Sequence, residues 1–385
     1  MRSLRMAEQI NQFPTEGVPM KTKIVHLQVL PLLTGVQNMM ILLLSGLNQE
    51  DYEIYVVSQG NGPLVDAVQD LGWYHITINT LVRNISIKDF VTAWKLFWLF
   101  RRIKPDIVHT HSSKTGFLGR ITARLAGVKK IIHTVHGFPF HQYQNPITRT
   151  CYTILESFAS FFSHYNVFVN HYEREMAIHK LGFNSHKAIT IYNAVLPNAE
   201  PISTLHTVNH LKIVSVLRFS KQKNIVSTIE QTVKVVKKYD NVQFTFIGNG
   251  ELFGECFDIV KKNNLESKII LTGWISNVQD ELKNHHVFLL NSLWEGLPIS
   301  ILEAMSVGMP IICSNIKGNN ELVTDVNGWL IEPYDLNALE NVVLTILEDT
   351  SVLTEKGKES LKKVTKQFHY ELFIEEYEKL YKNYS

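Results

Sequence analysis

Short apolar runs alternate with stretches of helical period along almost the whole chain, and this rhythm limits the possible folds more than any other feature. KIVHLQVL, EIYVVS, WYHITI, DIVHTH, KIIHTV, NVFVN and AITIYN read as strands, with stretches such as GPLVDAVQDLG and TGFLGRITARLAG between them as helices. Strands and helices in alternation predict a parallel α/β sheet. The rhythm breaks once, at LPNAEPISTLHTVNH (196–210), where two prolines and polar residues mark a linker. It then restarts with LKIVSVL, VQFTFIG, KIILTG, HVFLLNS and MPIICS as strands. A chain of 385 residues exceeds what one core usually supports, so the expected architecture is two Rossmann-like domains in series, 21–200 and 201–368. Residues 1–20 read as a polar leader without the apolar centre of a secretory signal, with Met20 as a second possible start.

Several function classes fall away early. No apolar run approaches the roughly 18 to 20 residues of a membrane span. Cys151, Cys256 and Cys313 are scattered and form no C-x-x-C pair, a pattern of reducing compartments. The net charge of +2 conceals an asymmetry: residues 1–205 carry 19 basic and 13 acidic side chains, or +6, and residues 206–385 carry 19 and 23, or −4. No arginine-rich tail or base-stacking motif points to nucleic acid, and the modest basic excess suits anionic lipid or a lipid diphosphate better. KDFVTAWKLFWLFRRIK (88–104) adds Phe90, Trp94, Phe97, Trp98 and Phe100 among five cations and one acid, too many aromatics for one core stripe. Part of this helix is expected in the core, and part is available to a lipid interface beside Arg101, Arg102 and Lys104.

The richest chemistry lies in SLWEGLPISILEAMSVGMP (292–310), which sets Glu295 and Glu303 eight residues apart around a glycine, a proline and a helix start. Pro298 is favoured at the first helical position. Unpaired N–H groups there suit a phosphate, Glu303 in the helix suits the two hydroxyls of a ribose, and Glu295 in the loop suits the sugar beyond the phosphates. Arg218 and Lys223 follow a strand, where open α/β sheets bind ligands and where cations can offset a leaving diphosphate. Gly248, Gly250 and Gly254 make a G-x-G-x3-G close to a dinucleotide fingerprint, yet no acidic residue follows at the end of the next strand. His109, His111, His133 and His136 sit at two strand ends, with His109 and His111 on one face. No cysteine or carboxylate adjoins them to complete a tetrahedral metal set, and D-x-D occurs nowhere, so no metal is expected.

The E-x7-E spacing, the GMPIICSN after it, GNNELV (318–323) and NGWLIEP (327–333) resemble the retaining family-4 glycosyltransferases, from about residue 22 to the C-terminus. The resemblance implies the GT-B architecture: an acceptor-side domain, a nucleotide-sugar domain with parallel sheets facing a central cleft, and a helix over 369–385 crossing back to the first domain. It implies that Glu295 contacts the transferred sugar, Glu303 the ribose, and Arg218 and Lys223 the donor phosphates. Gly35, Gly248, Gly296, Leu297, Pro298 and Ile299 join them at the donor, with Ile275 near the base. His136, followed by Gly137, matches the active-site histidine near the reacting sugar. His111, Ser112 and Lys114 fall on the acceptor side. Where the family usually has two glycines, this chain has Thr34 and Gly35.

HSSKTGFLGR and IIHTVHGF are most similar to members that build bacterial capsule or O-antigen. The implied reaction is metal-independent, retaining transfer of a hexose or N-acetylhexosamine from a nucleotide-diphosphate sugar, UDP-linked by expectation, to a polyprenyl-diphosphate-linked saccharide, without a cofactor. The implied location is peripheral, on an anionic surface at the inner face of the cytoplasmic membrane. Rival readings are an isomerase like UDP-N-acetylglucosamine 2-epimerase, an NAD-dependent oxidoreductase, and a silent sugar-nucleotide binder.

Overall fold

The computed structural model describes residues 21–82, 86–138, 140, 144–196 and 208–382. The leader and most of the linker expected from the sequence lie outside the described residues. The first sheet contains β1 (Thr22–Leu27), β2 (Tyr52–Ser58), β3 (Tyr74–Thr77), β4 (Ile107–His111), β5 (Lys130–Val135), β6 (Tyr165–Phe168) and β7 (Ala188–Thr190). The second contains β8 (Leu211–Val216), β9 (Val242–Ile247), β10 (Ile269–Gly273), β11 (Val287–Leu290), β12 (Ile311–Ser314) and β13 (Gly328–Ile331). Twelve of these arise from the apolar runs read above. The thirteenth, GWLI, is only four residues long with a mixed burial pattern, so it carries no periodic signal of its own.

Both sheets are parallel, in the orders β3-β2-β1-β4-β5-β6-β7 and β10-β9-β8-β11-β12-β13. Each order reverses direction once, between β1 and β4 and between β8 and β11. At such a switch point the loops leaving adjacent strands diverge and open a crevice at their carboxyl ends. The loops at the first switch point carry Thr34–Gly35 and His111–Ser112. Those at the second carry Arg218–Lys223 and Ser292–Pro298. The alternation along the chain therefore generates two facing crevices without any further instruction.

The strands are nearly continuous apolar runs because helices cover both faces of each sheet. One cluster fills the second domain, from Leu211 and Phe244 to Leu353 and Phe368. The first sheet has a separate cluster on each face. The final helix, Tyr370–Lys382, belongs to the first of these: Phe373, Ile374, Tyr377, Leu380 and Tyr381 pack with Ile24, Met40, Leu43 and Leu44. Its last carbonyls face a cation as well, since Lys130 Nζ donates to Leu380 O and Tyr381 O at 3.0 Å each. A cation at a helix C-terminus satisfies orphan carbonyls and complements the dipole.

One boundary differs from the sequence reading. Pro298 caps the Ile299–Ser306 helix instead of forming its first residue, with extended φ −72° and ψ 117°. Its carbonyl accepts from Ile301 N and Leu302 N, while the ring, lacking N–H, leaves no orphan donor at the cap. Among the described residues no helix is long and apolar enough to cross a membrane.

Candidate functional site

The two crevices meet where backbone touches backbone. Gly137 has φ +131°, and a side chain there would come within 3.6 Å of the Gly296 Cα. A Cβ on Gly296 would overlap the His136 carbonyl oxygen. Side chains from the first domain then hold the loop in place: Asn170 Nδ2 donates to Gly296 O at 2.8 Å and Asn193 Nδ2 to Leu297 O at 3.0 Å. In return, Glu321 of the second domain accepts from His171 N and Tyr172 N at 3.0 Å and from Tyr192 Oη at 2.9 Å. His171 and Tyr172 open the His171–Leu181 helix, so a carboxylate sits on the positive end of a dipole. Gly35, the first residue of its helix, lies opposite Ile299, whose Cδ1 would be 3.0 Å from a Cβ placed there.

The charged groups divide into pairs that the sequence did not announce. Lys223 Nζ lies 2.5 Å from Glu295 Oε1, with 17% and 7% of the two side chains exposed. Gln222 braces the same loop, donating from Nε2 to Trp294 O at 2.9 Å and accepting at its own carbonyl from Leu293 N at 2.8 Å. Arg218, expected beside Lys223 on one anion, instead pairs with Glu251 at 3.1 Å on an exposed surface. Glu303 is half-buried, and no side-chain partner for its carboxylate is found among the described residues. Burial pushes its pKa up to about 7. A desolvated carboxylate without donors is a vacant acceptor for a pair of hydroxyls.

Residues 33–198 match the family described as Glycosyltransferase Family 4, and residues 200–367 that described as Glycosyl transferases group 1. The chain is also 35% identical over 377 residues to the UDP-Gal:alpha-D-GlcNAc-diphosphoundecaprenol alpha-1,3-galactosyltransferase of Escherichia coli, covering 94% of this chain and 97% of that one. The chain belongs to the family-4 glycosyltransferases. The capsular polysaccharide biosynthesis glycosyltransferase CapM of Staphylococcus aureus is 24% identical over 355 residues, 88% of this chain and 92% of its own. Among solved structures, Anabaena HepE in complex with UDP and glucose superposes with a TM-score of 0.80 at 16% identity, covering 94% of this chain and 99% of that one. At that identity the likeness concerns the fold, which is GT-B.

The remaining expected residues of the glycosyltransferase lie as follows. His136 is half-buried beside the Gly296 contact, and burial pushes its pKa down to about 4. His111 ends β4 and its Nδ1 lies 3.0 Å from His136 Nε2. Ser112 is exposed at φ +59° and caps the next helix. Lys114, assigned to the acceptor, is turned onto Asp89 of the Lys88–Ile103 helix at 2.6 Å. His133 projects to the opposite face of the sheet, where its Nδ1 meets Thr110 Oγ1 at 2.9 Å. Ile275 is half-buried and Trp274 exposed after β10. Gly248 and Gly250 abut the backbone of Leu217 and Phe219, so the G-x-G serves close packing against the Arg218 loop.

Sequence reasoning missed Asn170, Glu173, Asn193 and Glu321. Asn170 and Glu173 did carry a signal, the N-x-x-E of a helix start following a strand. Asn170 Oδ1 accepts from Glu173 N at 2.7 Å, and the Glu173 carboxylate accepts from Phe138 N at 2.9 Å, behind Gly137.

The state of Glu303 yields a pH prediction. Hydroxyl donors favour its ionised form, so a bound ribose lowers a pKa that burial had raised to about 7. Nucleotide affinity is therefore full above about pH 7 and falls as pH drops through that value, approaching about tenfold per unit. Glu303→Gln weakens UDP binding about five- to thirtyfold at pH 8 and flattens this pH dependence. Calorimetry across pH checks both; unchanged affinity in the variant excludes the ribose role.

Proposed function

We propose that this glycosyltransferase moves a hexose from a UDP-sugar, with retention and without a metal, onto a polyprenyl-diphosphate-linked saccharide during assembly of a bacterial surface polysaccharide. The observation that carries this reading is the single loop-and-helix element from Glu295 to Glu303, which presents a Lys-paired carboxylate at one end and a vacant one at the other, across from His136. Glu303 takes the ribose. The N–H groups of Ile299 and Ser300, at the helix start, take the phosphates. Glu295 faces the sugar, and His136 approaches from the other domain.

As the bond between the anomeric carbon and the diphosphate breaks, negative charge grows on the leaving oxygen and positive charge on the sugar. Lys223 stabilises the first, joined by Arg218 once it exchanges Glu251 for the diphosphate, and the Glu295 carboxylate stabilises the second. The acceptor hydroxyl attacks on the face the diphosphate leaves, and its proton passes to the departing phosphate oxygen. No protein nucleophile is required. Galactose and an N-acetylglucosamine-diphosphate lipid are the first substrates to test, because they are the ones named for the Escherichia coli relative.

The lipid-borne acceptor requires the enzyme to work at a membrane, and the Lys88–Ile103 helix offers a surface for it. Thr92, Leu96 and Phe100 are buried along one stripe. Phe90, Trp94 and Trp98 are 81%, 64% and 54% exposed along the opposite one. Positions two apart lie about 200° round a helix, so the split follows from helical geometry. Exposed Arg101, Arg102 and Lys104 continue the aromatic stripe. Aromatic rings beside cations suit the headgroup region of an anionic inner membrane face, each cation contributing about 1 kcal/mol at low salt.

Two experiments test this reading. A panel of UDP-sugars with a lipid-diphosphate-linked N-acetylglucosamine acceptor, assayed in EDTA, gives an acceptor-dependent disaccharide whose new linkage keeps the donor's anomeric configuration. Donor turnover without acceptor, an inverted product, or activity lost in chelator and restored by manganese contradicts it. In vesicle sedimentation the protein pellets with anionic but not neutral lipid and is released at high salt, and Arg101→Glu, Arg102→Glu and Lys104→Glu together abolish pelleting. Equal binding to both lipids, or a triple variant that folds and still pellets, rejects the docking face.

A further inference from the structure

Behind the cleft, on the face of the first sheet covered by the Tyr370–Lys382 helix, polar rings are stacked where the fold would be expected to place apolar ones. The β1–β4 register sets His26 beside His109, and the β4–β5 register sets His111 beside Thr134. His109 and His111, and likewise Thr134 and His136, are two residues apart, so all of them share one face. His26, His109, His111, Thr134, Tyr377 and Tyr381 are all buried there.

Their polar atoms form one unbranched chain. His136 Nε2 meets His111 Nδ1 at 3.0 Å, and His111 Nε2 meets His26 Nδ1 at 2.9 Å. His26 Nε2 meets Tyr381 Oη at 3.2 Å, and that hydroxyl meets His109 Nδ1 at 2.7 Å. His109 Nε2 meets Thr134 Oγ1 at 2.7 Å, which meets Tyr377 Oη at 3.0 Å. Both nitrogens of His26, His109 and His111 are thus engaged.

Burial pushes the His26 pKa down to about 3, and burial together with the neighbouring imidazoles holds His109 and His111 well below the ordinary histidine range. At neutral pH every ring is therefore uncharged. A neutral imidazole donates once and accepts once, so each ring passes the direction of one link to the next, whereas a hydroxyl can either pass it on or accept from both sides. Four arrangements satisfy every link, because the Tyr381 and Thr134 hydroxyls can each also accept from both neighbours. In three of them the donors from His136 to His26 point away from the cleft and His136 Nδ1 is an acceptor; in the fourth every donor points toward the cleft and His136 Nδ1 carries the proton. The Thr134–Tyr377 hydroxyl pair can end the chain in either direction.

We infer that His26, His111 and Tyr381 are positioning residues that hold the active-site His136 in a single tautomer, so that the C-terminal helix governs whether this imidazole donates to or accepts from the bound sugar. The chain joins residues 355 positions apart, Tyr381 and His26, and gives the returning helix a role beyond covering apolar surface. Its influence on turnover rests on the transferase reading, whereas its influence on the His136 ring does not.

Nitrogen NMR of isotope-labelled histidine in the full-length protein separates protonated from unprotonated ring nitrogens and tests the inference at neutral pH. The wild-type His136 gives one signal of each kind, without averaging. Tyr381→Phe cuts the chain while keeping the ring, and moves both His136 signals toward a common average; turnover falls about five- to tenfold with KM within about twofold. Phe373→Leu, on the same helix but outside the chain, lowers Tm and leaves the His136 signals in place. Should Tyr381→Phe fail to fold, His26→Leu cuts the adjacent link, and His26→Gln, which keeps one donor and one acceptor, restores the single tautomer. The inference is overturned if the His136 signals are the same in the wild type and the cut variants. It is also overturned if the purified protein carries a stoichiometric metal ion on His26, His109 and His111, whose ring nitrogens lie within 4.8 Å of one another.

Discussion

The contact of the Gly296 backbone with His136 and Gly137 is the constraint on which the rest of the site depends. No side chain fits between the two domains at that point. The loop after β11 therefore reaches the carboxyl end of β5, and every group on that loop is placed by the same contact. Asn170, Asn193 and Glu321 act around it as a polar clamp in which the first domain supplies the donors and the second the acceptors. Hydrogen bonds to a carboxylate are stronger than neutral ones, which suits Glu321 to holding an interface built largely from backbone. The cleft is in this sense a product of two glycines and three side chains, set at the switch points of two sheets.

Electrostatics gives neighbouring groups of the same type different tasks. Glu295 is paired with Lys223, Glu321 is spent on a helix N-terminus, and Glu303 is left desolvated and vacant. Identical carboxylates thus become a charged face, a structural clamp and a ligand acceptor, according to what surrounds them. The histidines show the converse. Their stacking behind the cleft, with His26 and His111 ring centroids 5.1 Å apart, is tolerable only while they remain neutral. Neutrality in turn makes their hydrogen bonds directional.

The architecture was largely legible in the sequence, because the periods of strand and helix are local properties. Twelve strand segments announced themselves, and GWLI did not, since a four-residue strand offers too few alternations. The loop and helix around Glu295 and Glu303 were legible for the same reason, with the helix start displaced by one residue because Pro298 serves as the cap. Pairings across the chain were not legible. Nothing local shows that Lys223 meets Glu295, that Arg218 turns to Glu251, or that Lys114 turns away to Asp89. The facing of His109 and His111 followed from strand alternation, but the contribution of His26 depends on the β1–β4 register, and that of Tyr381 on a helix returning from the far end of the chain.

A structure of the full-length protein with an intact UDP-sugar tests the central claim most directly, because it shows where the donor lies relative to the contact between the domains. The account predicts the ribose hydroxyls on the Glu303 carboxylate, the diphosphate at the Ile299 helix start, and the sugar between Glu295 and His136. A nucleotide bound in the first domain, or a sugar directed away from the Gly296 contact, contradicts it.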